Sequence, residues 1–101
     1  MSHDPLDLRG QEQAKQERDE RDRLAAQIEA EDTKWLMSTK RGRRIVWRLL
    51  ERAGVFRLSF NTNAMQMAFA EGARNEGLRT LAHIHAACPE SYQVMLAEAK
   101  Q

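Results

Sequence analysis

The stretch TKRGRRIVWRLLERAGVF, residues 39–56, combines a regular apolar pattern with six lysines and arginines. Its apolar residues recur at three- and four-residue intervals, the spacing of a half-buried helix: Ile45, Val46, Leu49, Leu50 and Ala53. Ser38 and Thr39 are helix-capping residue types, and Gly54 is a common helix stop. We therefore predict a helix over residues 40–53 whose apolar residues form a buried face.

Two further helices are predicted on the carboxyl side of this stretch. The Asn and Thr residues at positions 61–63 can cap a helix that continues to about residue 87, and Pro89 suits the first turn of a last helix. The segment VFRLSFNTN between the helices is expected to lay apolar side chains across their junction. The inward face of the longer helix is predicted to hold Met65, Phe69, Ala73, Leu78, Leu81 and Ile84. The predicted core anchors are Trp35, Leu49, Phe56, Phe69, Leu81 and Tyr92.

The first third of the chain is opposite in charge to the rest. Residues 1–32 carry ten acidic and five basic residues, a net charge of −5, whereas residues 33–101 carry eleven basic and five acidic residues, a net charge of +6. Most residues from Gln11 to Asp32 favour helix and are polar, as expected of an exposed helix.

These patterns predict an all-α fold. The expected architecture is a small bundle of three to four helices with an extended, acidic N-terminal helical arm. We predict a flexible N-terminus at residues 1–10, a charged helical arm at residues 11–33 and a compact helical domain at residues 34–101.

Length and composition exclude several classes of protein. The 101 residues suffice for one small domain. A single cysteine, Cys88, permits neither an internal disulfide nor a cysteine-based zinc site and is expected to be buried. His83 and His85 are two apart on a helix and cannot share a metal. No secretory signal is visible, and no apolar run approaches the roughly 20 residues of a membrane span. We expect a soluble, non-enzymatic protein of a reducing compartment, without catalytic residues, metal, cofactor or small-molecule substrate.

The strongest candidate site is the basic segment between Lys34 and Arg57, where eight cations accompany one acid, Glu51. On a helix, the arginines at positions 41, 44, 48 and 52 form one stripe beside the apolar face. The predicted protein- or DNA-contact surface comprises Lys40, Arg41, Arg43, Arg44, Arg48, Arg52 and Arg57.

The stripe admits three interpretations. A line of cations suits phosphates, because each neutralised phosphate releases counterions, and Trp47 beside it can stack on a base. The same line suits carboxylates of the acidic arm, within or between chains: Glu12, Glu17, Glu20 and Glu31. It is also the ordinary solvated edge of an amphipathic helix.

A set of short motifs runs through residues 34–99. Trp35 begins an aromatic-led segment, Gly42-Arg43 opens a helix, and Gly54-Val55-Phe56 forms a turn. An F.EG.R..G helix and a P..Y..M..E ending follow, at Phe69, Glu71, Gly72, Arg74 and Gly77 and at Pro89, Tyr92, Met95 and Glu98. This pattern resembles a small tailed-phage domain family first described from a Bordetella phage. The acidic arm lies outside it.

The resemblance implies a tailed-phage origin, among structural and morphogenesis genes, and brings no established activity or catalytic residue. We therefore expect a homo-oligomeric virion or assembly component that meets other virion proteins or packaged DNA, in the virion or in the host cytoplasm during assembly. Such a component would be a capsid-interior, portal-associated, scaffold-like or genome-ejection protein. The alternative is a small phage-encoded DNA-binding regulator that uses the arginine stripe of residues 40–57. An adaptor that redirects a host protein is a third hypothesis, without a positive sign in the sequence.

Overall fold

The computed structural model describes residues 5–58 and 60–101, with only the backbone described at residues 5 and 6. This part of the chain folds into four α-helices and contains no strand. They are α1 (Pro5–Met37), α2 (Lys40–Ala53), α3 (Ala64–Ala87) and α4 (Pro89–Ala99). The prediction of an all-α fold is confirmed.

Local signals place the helix ends where the sequence predicted them. The Thr39 hydroxyl accepts a hydrogen bond from the Gly42 N–H at 3.0 Å, which begins α2. Gly54 ends α2 with φ at +81°, in the left-handed region that favours glycine. The Asn63 side-chain oxygen caps α3 by accepting from the Gln66 N–H at 3.1 Å. Pro89 begins α4, where its missing N–H costs no helical hydrogen bond.

The chain divides into two compact units, one ending at Ala30 and the other spanning Glu31–Gln101. The division falls within α1. Every described side chain from Asp7 to Glu29 is exposed. Residues 5–10, expected to be a flexible lead-in, are helical in the structure. Residues 1–4 lie outside the described residues.

The core of the Glu31–Gln101 unit lies where α2, α3 and α4 pack on one another. Among the residues described, its buried members are Met37, Val46, Leu50, Val55, Ile84, Cys88 and Met95. Partly buried side chains surround them: Trp47, Ala53, Leu78, Leu81, Ala87 and Tyr92. Two of the predicted anchors, Leu81 and Tyr92, therefore do pack against the core.

The other four predicted anchors are wrong. Trp35, Leu49, Phe56 and Phe69 are 76%, 57%, 44% and 82% exposed. Trp35 precedes the fully buried Met37 by two residues, which places the two side chains on nearly opposite sides of α1. Leu49 lies beside the buried row of Val46 and Leu50 and falls at its edge, as Ile45 does.

The exposure of Phe69 follows from the rotation of α3. Gly77 is buried, and a Cβ placed there would meet Val55 and lie 2.8 Å from the Cβ of Ala53. The end of α2 and Val55 therefore pack on a position of α3 that has no side chain. Eight residues turn an α-helix by about 80° beyond full turns, so Phe69 lies two turns before this contact and to one side of it, where its ring is left exposed. Met65 and Ala73, also predicted to face inward, are exposed as well.

Candidate interaction surface

Six of the seven cations predicted as a contact surface are exposed: Lys40, Arg41, Arg44, Arg48, Arg52 and Arg57. Arg43 is not, and its assignment to this surface is wrong. Its side chain is 15% exposed, and its Nε lies 2.6 Å from Oε1 of Glu98, which is 19% exposed. A terminal nitrogen of Arg43 also donates to the Met37 carbonyl oxygen at 2.9 Å. Arg43 therefore joins the end of α1 to α2 and α4.

The exposed arginines of α2 do form a stripe. With 3.6 residues per turn, Arg41, Arg48 and Arg52 lie within about 40° of one another around the helix axis. Ile45 and Leu49 lie beside them and are exposed, so the stripe borders an apolar strip and not the closed core. A surface of this mixed character can contact apolar and anionic groups together.

At the carboxyl end of α2, two aromatic rings lie among the arginines. Trp47 and Phe56 stack with ring centroids 4.8 Å apart and an interplanar angle of 25°. Together with Arg48, Glu51, Arg52 and Arg57 they line an open depression of about 530 Å³. The depression presents aromatic surface beside three arginines and one carboxylate.

A second depression lies between the end of α2, the segment that follows it and the first half of α3. We call it the loop groove. It has a volume of about 360 Å³, and its lining includes Arg52, Arg57, Leu58, Phe60, Phe69 and Arg74. Arg74 Nε donates to the Arg57 carbonyl oxygen at 3.1 Å, and Arg57 donates to the Glu51 carbonyl oxygen at 3.3 Å. These hydrogen bonds join the segment after α2 to both helices.

The loop groove is apolar and cationic. Leu58 and Phe60 are 90% and 81% exposed, so no described part of the chain covers them. Its described lining contains three arginines and no carboxylate. The groove is therefore suited to a partner that brings apolar side chains and negative charge.

The titratable groups of the described residues form no metal site: no three His, Cys, Asp or Glu side chains converge to hold an ion. His85 lies against Tyr92 at 4.2 Å between ring centroids and joins α3 to α4. Burial raises the pKa of the Cys88 thiol above its ordinary value, with a further contribution from Glu90, whereas a hydrogen bond with Ser91 and the charge of Lys34 oppose the shift. A buried thiol in this state is a poor nucleophile at neutral pH.

Sequence reasoning did not identify the Arg43–Glu98 pair or the loop groove as features. The two members of the pair are 55 residues apart, and no local pattern relates them. Both residues do occur in the motifs quoted above, Arg43 after Gly42 and Glu98 at the end of the last motif. The sequence does not predict the groove, because its pattern places Phe69 in the core and the segment that contains Phe60 across a helix junction.

In the described residues, these features define a small α-helical protein that offers an apolar and cationic surface and no helix suited to crossing a membrane. Its sequence matches the model of the Bbp19-like phage protein family over residues 33–97, and the chain belongs to that family. The phage resemblance is thereby confirmed, and the protein is phage-associated. No curated protein matches the chain, and no solved structure does.

Most of the motif residues have a role in the fold. A Cβ at Gly42 would meet the Leu36 carbonyl oxygen, so Gly42 lets α2 approach the end of α1 closely. Gly54 ends α2 and Pro89 begins α4, while Val55 and Met95 are buried in the core. Arg43 pairs with Glu98, Arg74 donates to the Arg57 carbonyl oxygen, and Gly77 admits the end of α2. Trp35 and Phe69 are instead largely exposed. Their side chains are therefore available to a partner.

Proposed function

We propose that this protein is a non-enzymatic component of a tailed-phage virion or of its assembly. It acts as a homo-oligomeric helical building block through self-association and a basic contact surface. Capsid-interior, portal-associated, scaffold-like and genome-ejection roles all fit this description. Its partners are other copies of itself, other virion proteins and, in some of these roles, packaged DNA. It resides in the virion, or in the host cytoplasm during assembly.

The observation that carries this proposal is the large exposed apolar surface of one copy. Among the described residues of the Glu31–Gln101 unit, five large apolar side chains are more than three-quarters exposed: Trp35, Leu58, Phe60, Met65 and Phe69. Full burial of one such side chain is worth about 1.5–3 kcal/mol. A concentration of exposed apolar residues rimmed by arginines is typical of an interaction surface. Membership of a phage family supports a phage protein as the partner.

Static light scattering over a wide concentration range tests self-association. We expect the full-length chain to form a defined oligomer and Phe60→Ser with Phe69→Ser to weaken it at least tenfold. Val94→Ser is the matched control, because Val94 is an exposed apolar residue of α4 outside the groove. A strict monomer at all concentrations would contradict self-association.

Mass spectrometry of purified particles tests the virion assignment. We expect peptides of this chain in mature particles or in proheads, at a defined ratio to the major capsid protein. Absence from both would rule out a virion or assembly role.

A DNA-binding regulator is the second candidate, favoured by the aromatic pair Trp47 and Phe56 among the arginines. It predicts duplex binding whose log K falls linearly with log salt, with a slope of about 0.9 per phosphate contacted. Arg44→Glu with Arg48→Glu should abolish this binding. Arg79→Glu with Lys100→Glu changes the net charge equally at exposed positions outside the stripe and should not. No binding at low salt would exclude this candidate.

A further inference from the structure

We infer that the loop groove receives the acidic arm of a second copy of this chain, through the face of α1 that carries Glu17, Glu20, Leu24 and Ile28. This inference rests on the self-association proposed above and deepens it by naming the two surfaces that meet. The groove supplies apolar side chains and arginines, and the arm supplies apolar side chains and carboxylates.

The arm carries the complementary chemistry on one helix face. Glu17, Glu20, Leu24 and Ile28 follow one another at three- and four-residue steps, so their side chains share a side of α1. Leu24 and Ile28 are 48% and 62% exposed, and they are the two large apolar residues of the sequence from 11 to 32. That stretch contains eight acidic and four basic residues. The face is therefore a short apolar row preceded by two carboxylates, with Arg21 beside them and Glu20 Oε1 2.6 Å from Arg23 Nη2 in an exposed ion pair.

The groove offers the matching arrangement. Phe60 and Phe69 present exposed rings, and Arg52 lies at the rim with an exposed side chain. Among the described residues the side chain of Arg52 donates to no protein group, whereas the side chains of Arg57 and Arg74 donate to carbonyl oxygens. An amphipathic helix laid in such a groove buries Leu24 and Ile28 against the rings and brings Glu17 and Glu20 toward the arginines.

The apolar half of the groove favours protein over nucleic acid as the occupant. Duplex DNA neutralises arginines, but its phosphate backbone offers nothing to cover Leu58, Phe60 and Phe69. The acidic arm satisfies both halves. It is also present at the same concentration as the groove, because both belong to one chain.

Cysteine cross-linking between two tagged versions of the full chain tests the contact directly. Both versions carry Cys88→Ala, which removes the sole native thiol, and circular dichroism verifies their folding. One version carries Gln27→Cys, beside Ile28, and the other carries Ala73→Cys, which lines the groove and is exposed. These positions leave the apolar contact side chains intact. With a short bismaleimide, we expect at least tenfold more cross-linked heterodimer than with Asn75→Cys, which is exposed on the same helix outside the groove.

A charge exchange provides the second test, by light scattering. Arg52→Glu alone, and Glu17→Arg with Glu20→Arg alone, should each weaken the oligomer at least tenfold. An equimolar mixture of these two variants should regain association, because the reversed groove then meets the reversed arm. The reversed charges lie on exposed side chains, so the melting temperature of each variant should stay near that of the parent.

The remaining outcomes each overturn the inference in a distinguishable way. An oligomer that persists in Arg52→Glu and gives no Gln27–Ala73 cross-link would refute the arm–groove contact and leave the proposed function standing. A strict monomer would refute both. Protection of Ala73→Cys by duplex DNA, lost in Arg52→Glu, would assign the groove to nucleic acid instead.

Discussion

Two glycines of α3 lie in opposite surroundings, and substituting them should change stability in opposite directions. A Cβ at Gly77 would meet Val55 and Ala53, whereas a Cβ at Gly72 would have nothing within 4 Å. We expect Gly77→Ala to lower the free energy of unfolding by about 1–3 kcal/mol through overpacking. Gly72→Ala should raise it by up to about 1 kcal/mol, because alanine favours helix. Urea denaturation measures both, and stabilisation by both substitutions would show that α2 does not pack on Gly77.

The Arg43–Glu98 pair should contribute measurably to stability because both side chains are largely shielded from water. Arg43→Met leaves the Glu98 carboxylate and the Met37 carbonyl oxygen without this donor, which should cost about 1–3 kcal/mol. Arg44→Met, at the exposed neighbouring position, should change stability by less than about 0.5 kcal/mol. A double-mutant cycle with Glu98→Gln isolates the pairwise energy, and a coupling near zero would contradict a stabilising pair.

Because of Cys88, the free energy of unfolding should fall as the pH becomes alkaline. Burial raises the pKa of its thiol from the ordinary value of 9.0, so the folded state favours the neutral thiol. The contribution of the buried thiol to the free energy of unfolding is fully present below its ordinary pKa of 9.0. This contribution is lost as the pH rises through the raised pKa of the folded state. The difference in stability between the parent and Cys88→Ala should therefore shrink at high pH. Thiol modification with a disulfide reagent should be slow in the native protein and fast in urea, and fast native modification would contradict burial.

At the scale of the helix, the caps determine where α2 and α3 begin. Thr39→Ala and Asn63→Ala should each cost about 1 kcal/mol, because each removes an acceptor for an N–H of the first turn. Thr62→Ala is the control for Asn63→Ala, since the sequence permits a cap at either position and the structure uses Asn63. Thermal denaturation followed by circular dichroism measures the three variants. Equal losses for Thr62→Ala and Asn63→Ala would place the start of α3 elsewhere.

The direction in which each helix faces is also an element-scale property, and it follows from a few contacts. Gly42 admits the end of α1, and Gly77 admits the end of α2. Val46 and Leu50 are then buried, and Leu49 is left at the edge. The apolar spacing of α2 and α3 is compatible with more than one rotation about the helix axis, because both helices carry apolar residues over a broad arc. Close approach at the glycines selects one rotation.

At the scale of the whole molecule, we expect the two units to differ in local stability. The described side chains of α1 from Asp7 to Glu29 are exposed, so this part of the helix gains little from tertiary packing. Its amide hydrogens should exchange much faster than those of the core residues of α2. Hydrogen exchange read by mass spectrometry at low protein concentration measures this difference. Equal protection of both regions under these conditions would contradict it.

Protection of the arm should also rise with protein concentration. At higher concentration more arms are docked in the loop groove of a second copy, and docking protects the amide hydrogens of the arm from exchange. The core amides are protected at every concentration. Arg52→Glu is the matched control and should keep arm exchange fast at every concentration.

Several properties of this protein follow from its amino-acid sequence alone. The all-α fold, the capping residues at 38–39 and 61–63, the stop at Gly54 and the start at Pro89 are determined within short segments, because capping, left-handed φ and proline geometry act over a few residues. The charge division between residues 1–32 and 33–101 and the family motifs are likewise sequence properties.

Only the tertiary structure decided which apolar side chains are core and which are surface. Phe69 and Trp35 are residue types expected in a core. Both side chains are instead largely exposed, because α3 packs at Gly77 and the end of α1 packs at Met37. Arg43 is a residue type expected on the surface, but it pairs with Glu98, 55 residues away, and is largely shielded from water. Burial depends on partners that are remote along the chain, and the spacing of residues within one helix does not contain that information.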